Sequence, residues 1–152
     1  MADGHRLAMA LRAAYLAMHR QTDAAMARHG VTADQFVMLA ALSDGDALTQ
    51  RDLGRQTGSD PNTVRAMLVL LEKRGLVVRT PHPTDGRALT VSLTPAGKRA
   101  YRTLWVASEC VRTDILSALG DDSSDDMLDL LERFARTLTP SYQDTPSPRT
   151  AP

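Results

Sequence analysis

Cysteine is almost missing from these 152 residues: Cys110 stands alone, which excludes a disulfide framework and any multi-cysteine metal site. Aromatic residues make up 4%, too few for a deep stacking cleft or an aromatic cage. The longest unbroken apolar run, residues 36–42, is seven residues, against the roughly 20 that a membrane helix needs. The N-terminus opens with a charge of each sign and no long apolar core follows, so no secretion signal is expected. The chain reads as a soluble cytoplasmic protein without a membrane partner. Net charge is missing too, because 18 Lys and Arg balance 18 Asp and Glu. What remains, 43% hydrophobic and 24% charged residues, is a globular composition, enough for one domain or two small lobes sharing a core.

Neutrality hides an uneven distribution. Between residues 49 and 99 nine bases face four acids, a surplus of five positive charges that the acidic flanks cancel. A solvated surface can show the same asymmetry, so the fold of the basic stretch has to decide whether it meets nucleic acid.

Leu7, Leu11, Tyr15, Met18, Thr22, Ala25 and His29 recur at three- or four-residue steps and trace the seam of a long helix that Gly30 stops. Thr32-Ala33-Asp34-Gln35 has capping-box spacing and opens a second helix to about Ser43. Thr49-Gln50-Arg51-Asp52 repeats the pattern for a short helix ending at Gly58. Ser59-Asp60-Pro61 follows at once, with Asp60 as cap and Pro61 at the first helical position, and this helix runs to Arg74. A short helix, a tight turn and a longer helix make a helix-turn-helix. After Gly75, residues 76–80 and 89–93 read as two strands around a His82-Pro83-Thr84-Asp85-Gly86-Arg87 tip, a β-hairpin. Thr94-Pro95 starts one helix to about Leu119, and Met127, Leu128, Leu131, Phe134, Ala135 and Leu138 carry a last amphipathic helix. Beyond Thr139 four of the eight prolines fall among polar residues, the composition of a disordered tail over 139–152.

On the helix over 60–74, Val64, Met67, Leu68 and Leu71 share the core side. Asn62, Arg65, Ala66, Val69 and Lys73 share the outward one. Arg65 is suited to bidentate pairing with guanine, Asn62 to adenine or a phosphate, and Val69 to a thymine methyl group, although a lone exposed apolar residue is also ordinary. The hairpin tip places Arg87 where it can enter an adjacent minor groove. Asp85 is expected to orient Arg87, and Gly86 to make the turn. With Thr49, Gln50 and Thr63, these complete the candidate DNA-binding set.

The Asp60-Pro61-Asn62-Thr63-Val64 helix start, Leu71-Glu72-Lys73-Arg74-Gly75-Leu76-Val77, the Asp85-x-Arg87 tip and Leu93-Thr94-Pro95-Ala96-Gly97 resemble the MarR family of bacterial transcriptional regulators, over about residues 5–138. The resemblance implies a mainly α fold with a small β-hairpin wing: a winged helix-turn-helix over 32–94 flanked by dimerisation helices over 5–30 and 95–138. It also implies a homodimer on a palindromic operator of double-stranded DNA, commonly a repressor, often released by a small aromatic or phenolic effector. Many members carry Thr-Arg where this chain has Arg65-Ala66, and Asp-Arg where it has Val69-Leu70, so an operator inferred from relatives does not carry over.

A dimer follows from the seams as well, since unpaired apolar stripes of that length exceed what monomers usually expose; the alternative is that both helices pack on their own domain. Tyr15, Met18 and His19 on the first helix, with Tyr101, Trp105 and Arg112 on the fifth, are the candidate effector pocket, and each is equally suited to core or interface. Cys110 lies on the fifth helix, whereas the one-cysteine hydroperoxide sensors of the family carry theirs on the first. His19 and His29 stand some 15 Å apart along their helix, too far to share an ion, so no metal or other cofactor is expected. Asp121, Asp122, Asp125 and Asp126 fit a helix N-terminus better than an acid–base site, and neither a catalytic triad order nor a phosphate loop is present, so no enzyme is expected. A winged-helix module used only for protein contacts is the remaining alternative; it has no need of Arg65 or Arg87.

Overall fold

The computed structural model describes residues 3–120 and 123–139. The tail over 140–152, with Asp121 and Asp122, lies outside them.

Helix α1 (Gly4–Ala27) leads through Gly30 to α2 (Ala33–Ala41), whose N-terminus carries the expected capping box: Thr32 and Gln35 each accept the other's backbone N–H at 3.1 Å. A two-residue strand β1 (Leu48–Thr49) precedes α3 (Gln50–Thr57) and α4 (Pro61–Lys73). Strands β2 (Val77–Pro81) and β3 (Leu89–Leu93) follow, then α5 (Pro95–Ala107), α6 (Glu109–Leu119) and α7 (Ser124–Leu138). The sheet runs β1-β3-β2, antiparallel throughout; Val91 on the central strand faces Leu48 on one side and Arg79 on the other. Sequence periodicity predicts the hairpin but not β1, because two residues are too few to show alternation.

The core gathers Met26 of α1, Met38 and Leu39 of α2, Leu53 of α3, Val64, Leu68 and Leu71 of α4, Val91 of β3 and Leu104 of α5. It therefore holds the helix-turn-helix and the base of the wing against the long flanking helices. Apolar seams outside it stay bare in the single chain. Tyr15 on α1 and Leu128 on α7 are each 53% exposed, and α7 buries no residue at all. No helix among the described residues is long and apolar enough to cross a membrane.

One helix expected to run from Thr94 to Leu119 is two. At Ser108 the backbone leaves helical geometry (φ −92°, ψ 4°). The buried hydroxyl donates to the Trp105 carbonyl at 3.0 Å and accepts from the Arg112 guanidinium at 2.6 Å. A serine hydroxyl that bonds the preceding turn competes with the backbone ladder and bends it there.

The start of α5 meets the end of α4 closely. A Cβ built on Gly97 would lie 1.9 Å from the Leu76 carbonyl oxygen, an overlap that backbone must move to relieve. Gly97→Ala gains about 1 kcal/mol of helix propensity and loses more than that to overpacking. Net destabilisation of about 2 kcal/mol is expected in urea unfolding; stability equal to the parent contradicts the close approach.

Candidate nucleic-acid interface

The interface is built on the turn between α3 and α4. Gly58 ends α3 in the left-handed region at φ 65°, which reverses the chain at little steric cost. Asp60 then caps α4: Oδ1 accepts the backbone N–H groups of Asn62 and Thr63 at 3.0 Å, and Oδ2 accepts the Thr63 hydroxyl. The Thr63 hydroxyl above all, then the Thr63 and Asn62 backbone bonds, hold the Asp60 carboxyl below its ordinary range. Thr49 donates its hydroxyl to Asp52 at 2.6 Å while accepting the Asp52 N–H at 3.1 Å, and the Gln50 side chain reaches the Pro61 carbonyl at 3.4 Å. Thr49, Gln50 and Thr63 thus enter the site as side chains that hold the fold rather than as free polar groups.

Helix α4 turns Val64, Leu68 and Leu71 inward and half-buries Met67. Asn62, Arg65, Ala66, Val69 and Lys73 are all exposed, as their spacing requires, and Leu70 joins them at 47% exposure. Among the described residues, the side chains of Arg65, Lys73 and Arg87 make no hydrogen bond or ion pair. Two other bases of the cationic stretch are committed to the fold. Arg74 donates to the Gly30 and His29 carbonyls at 2.6 and 3.3 Å, tying the end of α4 to the end of α1. Arg79 on β2 grips Glu72 on α4 through Nε at 3.0 Å and through a second guanidinium nitrogen, which fixes the wing beside the flank of α4 that carries Arg65.

The wing tip is organised by a residue that sequence reasoning gave no role. His82 Nδ1 accepts the backbone N–H groups of Thr84 and Asp85 at 3.2 and 3.1 Å, which requires that nitrogen to be unprotonated. Its only signal was a histidine opening a turn. Asp85 does orient Arg87, but through the Arg87 backbone N–H at 3.0 Å, leaving the guanidinium unpaired. Gly86 is exposed beside it.

The six effector candidates fall into two groups. The rings of Tyr15 and His19 are 5.7 Å apart, and His19 also faces Asp34 at 3.2 Å and Asp23 at 3.5 Å; Met18 lies exposed between them on α1. Tyr101, 6% exposed, stands between the Phe36 and Trp105 rings at 6.0 Å from each. The Arg112 guanidinium lies 3.7 Å from the Trp105 ring centre, a cation–π contact. Two surface cavities are lined elsewhere. One of about 850 Å³ lies between the α3–α4 turn and Ala135 and Thr139. Another, of about 190 Å³, lies between His29, Arg74, Leu76 and Thr103. Cys110 is exposed near the start of α6.

A description of the MarR family matches residues 29–88, from the end of α1 to the wing tip. The chain belongs to the MarR family. It is 34% identical to the HTH-type transcriptional regulator SarZ of Staphylococcus epidermidis over 83 residues, 55% of this chain and 56% of that one. It thus spans about half the length of that curated relative. Similarity to the HTH-type transcriptional repressor Rv2887 of Mycobacterium tuberculosis is lower but longer, 25% over 134 residues, covering 88% of this chain and 96% of that one. Among solved structures, NadR in complex with 4-hydroxyphenylacetate superposes with a TM-score of 0.73 at 25% identity, over 90% of this chain and 93% of that one. SarZ is thus named a transcriptional regulator and Rv2887 a transcriptional repressor, neither an enzyme, and the fold here is a winged helix.

The Asp60 cap gives a pH prediction. A carboxyl held below its usual range stabilises the fold fully at pH above its unfolded value and loses that contribution as pH falls through the lowered one. Asp60→Ala should therefore unfold at lower urea than the parent near neutrality, and the gap should close only below the ordinary value of 3.8. A gap that is constant from neutral to strongly acid pH contradicts the assignment.

Proposed function

We propose that this MarR-family chain is a sequence-specific transcriptional repressor that binds a pseudo-palindromic operator as a homodimer and is modulated by a small aromatic or phenolic molecule. One observation carries the DNA reading: Arg65, Lys73 and Arg87 keep unpaired cationic side chains on two elements that the Arg79–Glu72 pair locks together. Cations committed to the fold cannot neutralise phosphates; unpaired ones on a rigid frame can, with no internal bond to break first.

In this reading α4 enters the major groove by its N-terminal end. Asn62 and Arg65 meet base edges, with Arg65 bidentate on guanine, and Ala66, Val69 and Lys73 follow along the groove. The wing lays Arg87 in the adjacent minor groove, with Asp85 and Gly86 shaping the tip and Thr49, Gln50 and Thr63 bracing the helix-turn-helix behind it. The bare seams of α1 and α7 support a dimer, since pairing two copies covers them and sets two heads on one face of the duplex. The winged helix-turn-helix over 32–94 is then the reading unit, and 5–30 with 95–138 the dimerisation unit.

For the effector, the Arg112–Trp105 contact offers a cation and a ring face that suit an aromatic acid, and we assign Tyr15, Met18 and His19 on α1 to the same effector region. NadR was solved with a phenolic acid bound, which supports that chemical class.

Titration with mixed-sequence duplex at two salt concentrations tests the reading. Affinity should fall steeply with salt. Arg87→Ala should weaken binding and lower the salt slope by about one without changing the melting temperature or the mass of the dimer. Arg65→Ala should cost about 1–3 kcal/mol at one base position and relax the preference there. Absence of binding at low salt overturns the proposal in favour of a protein-contact module.

A further inference from the structure

The outward face of α4 is not uniformly polar. Val69 is 49% exposed and Leu70 47%, and Ala66 is exposed one turn before them. On a helix, residues three and four apart are neighbours, so Ala66 and Arg65 both flank Val69 toward the N-terminus and Lys73 flanks it toward the C-terminus. Ala66 also lies four residues before Leu70, so it joins both exposed residues, while Arg65 and Lys73 stand one turn to either side of Val69. A single exposed valine needs no explanation, but here the exposed apolar residues stand between two cations without an internal partner, which narrows what can cover them. The bracket also selects the occupant. Arg65 and Lys73 would lose water without a partner against an apolar protein surface, whereas the major groove offers acceptors and phosphates to both. It offers apolar surface in one place only, the thymine 5-methyl group.

We infer that Val69, with Ala66 one turn before it on the same face, reads a thymine methyl group in each operator half-site, next to the base contacted by Arg65. The inference rests on the DNA-binding reading above and names the base chemistry recognised. Burying a methyl group against Val69 strengthens binding about fourfold for each half-site. Uracil has the same hydrogen-bonding edge as thymine and lacks only that methyl, so the contact can be removed without touching any polar one.

The test starts from duplexes selected by the full chain out of a random pool. Each thymine of one half-site is then replaced singly by deoxyuridine, and affinities are measured for the parent and for Val69→Ala. An exposed helical Val→Ala change favours helix, so the variant folds. The expected result is one thymine whose methyl loss weakens the parent about fourfold while Val69→Ala binds thymine and uracil duplexes equally. A parent that binds tightly yet ignores every uracil overturns methyl readout and leaves DNA binding standing. A Val69→Ala protein that keeps the parent's thymine preference overturns the assignment to Val69. If no duplex is enriched, DNA binding itself fails and this inference with it.

Discussion

The structure depends on the place where α4 ends, the wing begins and α5 starts. Thr94 donates its hydroxyl to the Gly75 carbonyl at 2.6 Å and its N–H to the Leu76 carbonyl at 3.1 Å, and Gly97 packs against that same carbonyl with no room for a side chain. Arg74, one residue earlier, reaches across to the carbonyls of His29 and Gly30 at the end of α1. Helix α4 is thus tied at its C-terminal end to the end of α1 and to the start of α5. Its N-terminal end is capped by Asp60 and held to α3 through Gln50 and the buried Val64.

The same economy appears in the charges. A chain neutral overall carries a surplus of five positive charges over residues 49–99, yet those cations do not act alike. Arg74 and Arg79 are internal fasteners, one to α1 and one to Glu72, and each leaves a neighbour free: Lys73 beside the first, Arg65 on the same flank as the second. The partly exposed Arg79–Glu72 pair adds little stability on its own. Its effect is geometric, since it fixes the wing against the flank of α4 that carries Arg65.

Much of this was legible in the sequence because it is local. Capping residues at Thr32, Thr49 and Asp60, Pro61 at the helix start, glycines at the stops and the Thr94-Pro95 restart each act within four residues, and all of them fold as their spacing requires. The outward face of α4 was legible for the same reason, apart from Leu70 at its edge. What was hidden depends on neighbours distant in sequence or on elements too short to be periodic. Strand β1 exists only because β3 pairs with it. The break at Ser108 comes with a bond from the Arg112 side chain one turn on, and His82 gains its role from the hairpin that surrounds it. Thr49 and Thr63 have the composition of phosphate ligands, but their hydroxyls are spent on Asp52 and Asp60. The effector candidates share a compositional signal, whereas the ladder from Phe36 through Tyr101 and Trp105 to Arg112 became visible only in three dimensions.

The central claim is that two copies of this chain present their α4 helices and wings to one duplex at its helical repeat. Hydroxyl-radical footprinting of a selected site measures that spacing directly. The account predicts two protected patches on one face of the DNA, with centres about 10–10.5 base pairs apart. A single patch, or two patches on opposite faces, would contradict it.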